Sequence, residues 1–362
     1  MNTTAEKVER RLSRRVYVGN VAIGGGAPVT VQSMLNSKTV DVEGSVRQIE
    51  TLREAGCDLI RLAVPDEDSA TAFGKIARRT GLPLIADIHY SCRLAHLALD
   101  NGAKKIRMNP GNMHDREELK ELARRMAGEG VPVRVGVNGG SLDPAFAGME
   151  ECDALVKSAL DSAELFESCG LKDIVVAIKS SDISTMVEAN RKIAAAADYP
   201  LHLGVTEAGT LRTGLVKSSA ALGILLSEGI GDTVRISLAA PPVEEVYAGK
   251  TLLRCLGLKS DCVDVVACPT CARTEIDVAA LAAAVEKATA SVKVPLKIAV
   301  MGCPLNGIGE GKDADLGVAG GKTKSVILRD GEIYETVSSE LLMPHFMMLV
   351  DDYVTELLSK KA

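Results

Sequence analysis

The sequence predicts an α/β chain, a TIM-type (β/α)8 barrel followed by a small α+β iron–sulfur domain. Three observations carry this. A unit of β-branched run, polar turn, amphipathic helix and glycine recurs from Val29 onward. Eight such runs begin on average about 29 residues apart, and eight strand–helix units fill the ~250 residues usual for such a barrel. After the last unit the pattern breaks, and Cys268, Cys271 and Cys303 fall on junctions rich in Pro and Gly. The expected division is 1–257 for the barrel and 258–362 for the second domain.

Taken in order, 16–23 reads as a short strand pair, closed by Gly24-Gly25-Gly26 and covering one end of the barrel. The barrel strands are 29–33, 59–64, 84–89, 105–108, 133–138, 174–179, 201–206 and 233–238. Helices between them include 42–55, 69–80, 115–128, 153–169, 183–197 and 211–227, with a last one near 243–256. Gly56, Gly102, Gly170 and Gly229 stand where a helix stops in the left-handed conformation. A doubly wound open sheet is the competing architecture, but no G-x-G-x-x-G follows the first strand. Farther on, 261–267 and 296–301 read as strands and 277–289 as an Ala-rich helix. Strands 325–328 and 333–337 flank an Asp-Gly hairpin turn, and 339–358 is a closing helix.

Composition excludes several classes. With no Trp and 3 % aromatics, stacking platforms for sugars or single strands are missing. A net charge of −6 disfavours nucleic acid as a partner. Nine cysteines without paired spacing suit a reducing compartment. Arg14-Arg15 is not followed by the apolar stretch of a twin-arginine signal, and no apolar run is long enough to span a bilayer. A cytoplasmic protein without membrane contact is expected.

Barrel strands are usually continuous Val, Ile and Leu. Here they carry Arg61, Asp87, His89, Arg107, Asn109, Arg134, Asn138, Lys179, Thr206, Glu207, Arg235 and Ser237 toward their C-terminal ends. Residues at i and i+2 share a face, which in a barrel is the lumen below the active-site mouth. Five cations from five strands have only Asp87 and Glu207 as evident strand-borne anions. Each could make a structural ion pair, yet unpaired buried cations are costly. A polyanionic ligand resolves this, and guanidinium groups match phosphate oxygens bidentately. The expected ligand is a small phosphorylated molecule, most simply a diphosphate. His89 and Glu207 are candidate proton donors.

The second domain holds Cys268-Pro269-Thr270-Cys271, then Cys303, then Glu310 seven residues later. C-x-x-C at Cys-Pro junctions suits zinc or an iron–sulfur cluster. Zinc would want a fourth Cys or a His, and the only late His is His345, in a Leu/Met-rich run. Three thiolates with Glu310 as candidate fourth ligand favour a cluster. A carboxylate is the weaker ligand to iron and can step aside, giving the open position that catalysis needs. Cys57, Cys92, Cys152 and Cys169 read as small core residues, and Cys255 and Cys262 as alternative ligands. His96, His114 and His202 read as helix or packing residues.

These residues lie in motifs that resemble the 4-hydroxy-3-methylbut-2-enyl diphosphate synthase family, in its bacterial two-domain form, over essentially the whole chain. The motifs are Val31-Gln32-Ser33-Met34, Ala86-Asp87-Ile88-His89, Ile106-Arg107-Met108-Asn109-Pro110-Gly111-Asn112 and Arg134-Val135-Gly136-Val137-Asn138-Gly139-Gly140-Ser141. Gly204-Val205-Thr206-Glu207-Ala208-Gly209, Ala267-Cys268-Pro269-Thr270-Cys271 and Met301-Gly302-Cys303 complete them. The resemblance implies a [4Fe-4S] cluster on Cys268, Cys271, Cys303 and Glu310. It implies two-electron reductive ring opening of 2-C-methyl-D-erythritol 2,4-cyclodiphosphate in isoprenoid biosynthesis, with electrons from flavodoxin or ferredoxin. On the joint reading, Arg61, Arg107, Arg134, Lys179 and Arg235 hold the diphosphate, and Asn109, Asn138, Thr206 and Ser237 orient it. Glu207, helped by His89 or Asp87, protonates the departing hydroxyl. The family usually has Asn-Gly-Pro-Gly-Glu before its fourth ligand, where this chain has Asn306-Gly307-Ile308-Gly309-Glu310, so a less rigid turn is expected.

Two rivals stand beside this reading. One is a non-redox barrel lyase or synthase acting on a phosphorylated small molecule, with structural zinc. The other is a non-catalytic iron–sulfur carrier. Assembly follows from topology. Each barrel helix returns the chain to the bottom face, so the last leaves it far from the mouth, and a linker of six residues reaches at most ~20 Å. A head-to-tail homodimer sharing its active sites is expected.

Overall fold

The computed structural model describes residues 8–113, 115–139, 142, 146 and 148–361, with Asn306 and Lys361 as backbone only. The expectations for His114, Gly140 and Ser141 lie outside the described residues. The chain divides into two compact units, Met1–Lys259 and Ser260–Ala362.

In the first unit, eight parallel strands alternate with helices as their hydrophobic runs require. The strands are β3 (Thr30–Met34), β4 (Leu59–Ala63), β5 (Leu84–Asp87), β6 (Lys105–Met108), β7 (Val133–Asn138), β8 (Ile174–Lys179), β9 (His202–Leu203) and β10 (Thr233–Val234). Their order is β8-β7-β6-β5-β4-β3-β10-β9, and a parallel bridge between Val176 and Leu201 brings the two ends of the sheet together. The outer helices are α1 (Val42–Glu54), α2 (Glu67–Thr80), α3 (Cys92–Asp100), α4 (Arg116–Glu129), α5 (Glu151–Ser168), α6 (Ile183–Ala196), α7 (Leu211–Ser227) and α8 (Pro242–Cys255). Side chains of Asp41, Asp66, Ser91, Asp115 and Asp182 cap five of them by accepting backbone N–H groups of the first turn. Helix α3 is absent from the sequence reading because nine residues hold too few turns for a clear period.

The hairpin of β1 (Val16–Val18) and β2 (Val21–Ile23) sits where the sequence placed it. Val16, Val18 and Ile23 pack on Leu59, Ile85 and Val175, near the N-terminal ends of their strands. Arg10 also reaches Asp232, just before β10, at 2.9 Å. The N-terminal end of the barrel is thus plugged, which leaves chemistry to the C-terminal end.

The second unit is a five-stranded sheet in the order β11 (Val263–Ala267), β12 (Leu296–Met301), β13 (Leu316–Ala319), β14 (Lys324–Arg329), β15 (Glu332–Ser338). The first three are parallel and the rest antiparallel. Helices α9 (Val278–Thr289) and α11 (Leu342–Lys361) share one core with it, including Leu281, Val285, Ile298 and Phe346. Asp330 and Gly331 both have positive φ, the turn that Asp-Gly favours between hairpin strands.

Two expectations are corrected here. Strand β13 was not foreseen, its four residues being too short to alternate. The turn expected at Asn306–Glu310 is instead part of a helix, α10 (Pro304–Gly311). Pro304 at its first turn presets helical φ, and packing overrides the weak helix propensity of three glycines. Gly307 lies so close to the sheet that a Cβ there would meet the Ala319 Cβ at 2.6 Å.

Candidate functional site

The barrel lumen is unusually polar. Arg61, Asp87, Arg107, Arg134 and Lys179 are buried, and Arg235 is partly so. They come from six strands, and register sets Arg107 beside both Asp87 and Arg134. Two glycines make room for them. A Cβ on Gly136 would meet Arg107 Nε at 3.2 Å, and one on Gly204 would meet Lys179 Nζ at 2.9 Å.

Asp87 is the hub. It accepts a hydrogen bond from Arg107 Nη1 at 3.1 Å and lies 3.8 Å from Arg61 Nε and 3.5 Å from His89 Nε2. Burial alone would push its carboxyl up, but Arg61, His89 and Arg107 together outweigh this and hold it well below the usual range. In this position Asp87 anchors Arg107 and stands beside Arg61 and His89.

Arg235 also has a partner that the sequence reading missed. Glu245, buried in the first turn of α8, accepts from Arg235 Nη2 at 2.9 Å and Nε at 3.0 Å. It further accepts from Ser33 Oγ and the Leu238 amide. The reading that only strand-borne carboxylates could balance the cations overlooked helices. The sequence signal was Pro241-Pro242-Val243-Glu244-Glu245, a helix start with acids in its first turn.

Cations remain in excess even so. Burial, then Arg61 and Arg107, disfavour charge on Arg134, and burial followed by Arg134 does the same to Lys179. A guanidinium does not shed its proton, so the crowding persists as unfavourable energy until an anion arrives. Arg134 Nε and Nη1 have no hydrogen-bond partner among the described residues. Below them lies a layer that the sequence reading did not single out. Lys105 Nζ, both His202 ring nitrogens and the Gln32 amide atoms are buried and unpaired among the described residues. His202, read as a helix or packing residue, is on β9 and fully buried.

The remaining candidates stand at or just beyond strand ends. Asn109 is buried and caps a short 3-10 turn, accepting the Gly111 N–H at 3.1 Å. Asn138, paired in register with Lys179, ends β7. Thr206 and Ser237 are half-buried beyond the short β9 and β10. Glu207 is exposed and adopts φ +52°, a left-handed conformation that costs a non-glycine residue free energy. His89, with 49 % of its side chain exposed, tilts against Tyr90 at 5.8 Å.

In the second unit the expected cysteine ligands lie just beyond the C-terminal ends of β11 and β12. Cys268 and Cys303 follow the adjacent parallel strands β11 and β12, whose ends are in register at Ala267 and Val300. The Gly302 N–H donates to Cys268 Sγ at 3.1 Å. Cys271 is exposed, and hydrogen bonding from the Arg273 backbone lowers the pKa of its thiol, which favours thiolate. Glu310 is exposed on α10. Cys262 precedes β11 and Cys268 follows it, about 20 Å apart along the strand, so Cys262 does not join this group. Among the described residues, no three of the Cys268, Cys271, Cys303 and Glu310 donor atoms lie within 4.8 Å of one another. One tetrahedral zinc with bonds of ~2.3 Å would need sulfurs ~3.8 Å apart. Three cysteines with one carboxylate are a donor set, mostly thiolate, that suits iron–sulfur ligation.

The chain matches the GcpE TIM-barrel domain model over residues 13–250 and the GcpE protein C-terminal domain model over 264–352. It belongs to the GcpE family. Relatives named 4-hydroxy-3-methylbut-2-en-1-yl diphosphate synthase (flavodoxin) extend over nearly the same length. The one from Caldanaerobacter subterraneus subsp. tengcongensis is 47 % identical over 351 residues, 96 % of this chain and 99 % of that one. The one from Thermotoga petrophila is 50 % identical over 349 residues, with the same coverage of each. Among solved structures, dihydropteroate synthase from Stenotrophomonas maltophilia aligns with a TM-score of 0.50 and 16 % identity. It covers 66 % of this chain and 98 % of its own, a likeness of barrel fold alone. No helix among the described residues is long and apolar enough to cross a membrane.

Proposed function

We propose that this member of the GcpE family catalyses the two-electron reductive ring opening of 2-C-methyl-D-erythritol 2,4-cyclodiphosphate to 4-hydroxy-3-methylbut-2-enyl diphosphate, a step of isoprenoid biosynthesis. Membership of the family supports this, as do the names of relatives such as those from Caldanaerobacter and Thermotoga. The observation that carries it is the excess of buried cations over Asp87 and Glu245 in the barrel lumen. A cyclic diphosphate supplies the missing negative charge. Arg61, Arg107, Arg134 and Lys179 bind its phosphates, with Arg235 presenting the edge that Glu245 leaves open. Asn109, Asn138, Thr206 and Ser237 orient the ring. Asp87 holds Arg107 and His89 in place. Glu207, at the rim on a strained backbone, delivers the proton to the leaving hydroxyl, with His89 as the supporting proton donor.

Cys268, Cys271, Cys303 and Glu310 would hold a [4Fe-4S] cluster, which supplies electrons and a Lewis-acidic iron when bound. Reduced flavodoxin, named in the relatives' titles, is the donor, with ferredoxin as the chemical equivalent. Nine free cysteines suit the reducing cytoplasm. Iron and sulfide analysis of anaerobically purified protein, with turnover of the cyclic diphosphate by reduced flavodoxin, tests the proposal. Stoichiometric iron and product formation are expected. Zinc in place of iron, or iron without turnover, would overturn it.

We further infer a head-to-tail homodimer in which each cluster-bearing unit serves the partner's barrel. The support is barrel polarity, since α8 returns the chain to the N-terminal end and β11 starts at Val263 after a short link. Subunits carrying Glu207→Ala and Cys303→Ser, each inactive alone, should regain activity when mixed under exchange conditions. Confirmed heterodimers that stay inactive would exclude shared sites.

A further inference from the structure

The two arginines nearest the end of β3 are held in opposite ways. Arg235 is clamped by Glu245 through two charge-assisted hydrogen bonds of 2.9 and 3.0 Å. Arg61 has no such clamp. Its nearest carboxylate oxygen, on Asp87, is 3.8 Å from Nε, beyond hydrogen-bond range. Instead Arg61 donates from Nη2 at 2.9 Å and Nε at 3.2 Å to the thioether of Met34, the last residue of β3. The same sulfur lies 3.8 Å from Arg235 Nη1, so it stands between the two guanidinium groups. A thioether is an uncharged, weak acceptor. It orients a guanidinium without neutralising it, and a phosphate oxygen outcompetes it for the same N–H groups. A carboxylate at this position would do the reverse, cancelling charge that the ligand needs.

We propose that Met34 is a positioning residue that holds Arg61 in the substrate-free barrel and surrenders its Nε and Nη2 donors to the diphosphate. Arg235 stays fixed on Glu245 throughout, and Arg61 is the exchangeable ligand. The inference rests on the reading of Arg61 as a diphosphate ligand.

Kinetics of cluster-loaded Met34→Leu and Met34→Glu enzymes test it, with direct titration of the cyclic diphosphate into each and into Arg61→Ala. Met34→Leu keeps the apolar bulk and loses an acceptor used only before substrate binds, so KM should fall about threefold with kcat within about threefold. Met34→Glu supplies a competing ionic partner, and KM should rise on the order of thirtyfold, the scale of a hydrogen bond to a charged group. The KM ratio of this variant to wild type should fall as pH is lowered through the titration of the new carboxyl. A structural role alone would lower kcat and iron content without a pH-dependent ratio. Wild-type KM in Met34→Glu, or a raised ratio that does not change with pH, would overturn the proposal. Wild-type binding by Arg61→Ala would instead remove the reading of Arg61 beneath it, and the proposal with it. Weakened binding by Arg61→Ala beside unaffected Met34 variants would remove this proposal alone.

Discussion

Replacing Arg134 by Met is expected to abolish substrate binding while making the protein more stable. Arg134 is 1 % exposed, and its Nε and Nη1 have no partner among the described residues. Burial and the neighbouring Arg61 and Arg107 all oppose its charge. Such a side chain is a net cost to the folded state, because desolvation is not returned by any contact. Met is close in length, apolar and adaptable, so it fills the space without a buried charge. Replacing buried ionic groups by apolar ones gains on the order of 1–4 kcal/mol, and each kcal/mol moves Tm by about 2–4 °C in a domain of this size. Binding moves the other way. Each hydrogen bond to a charged group contributes about 1.5–3 kcal/mol, so two free donors lost should raise the substrate Kd by a factor on the order of 100 or more. Calorimetric titration with the cyclic diphosphate, beside thermal denaturation of the same samples, reads both. Lower stability with unchanged binding would make Arg134 a structural residue and remove it from the diphosphate site.

Replacing Glu310 by Ala is expected to cost iron and activity together, with the fold intact. Glu310 is exposed near the end of α10 and makes no hydrogen bond or ion pair among the described residues. Its removal therefore breaks nothing in the apoprotein. Losing a direct ligand should lower iron retention and turnover by at least the order of 10–100-fold known for the groups that merely support ligands. Glu310→Cys should keep iron yet turn over slowly, because a thiolate holds iron more firmly than a carboxylate. Iron per subunit, rate and the Tm of the apoprotein distinguish these outcomes. Unchanged iron and rate in Glu310→Ala would show that Glu310 is not a ligand.

Most of the architecture was legible because the barrel strands are short apolar runs and most barrel helices open on a side chain that caps their first turn. The cations were legible for a simpler reason. Arg61, Arg107 and Arg134 interrupt strands that should be apolar, and their i, i+2 neighbours fix which face they share. Legibility failed where elements were short or where packing opposed propensity. Helix α3 and strand β13 carry too few residues to show a period, and α10 contains three glycines that only a tight fit against β12 and β13 makes helical.

Taken alone, the order of residues determined the alternation of strands and helices, the ring of cations, the Cys-Pro junctions and the candidate fourth ligand. These are local in the chain, since periodicity and spacing are set by neighbours a few residues apart. What each cation touches was decided only by tertiary structure. Glu245 reaches Arg235 from a helix ten residues on, Met34 receives Arg61 from the next strand, and Asp87 gathers Arg61, Arg107 and His89. Barrel closure brings these groups within hydrogen-bond range, and a partner's charge and distance then fix whether an arginine is clamped, held weakly or left waiting for an anion. No spacing along the chain encodes that distance, because it depends on how eight strands meet around one axis.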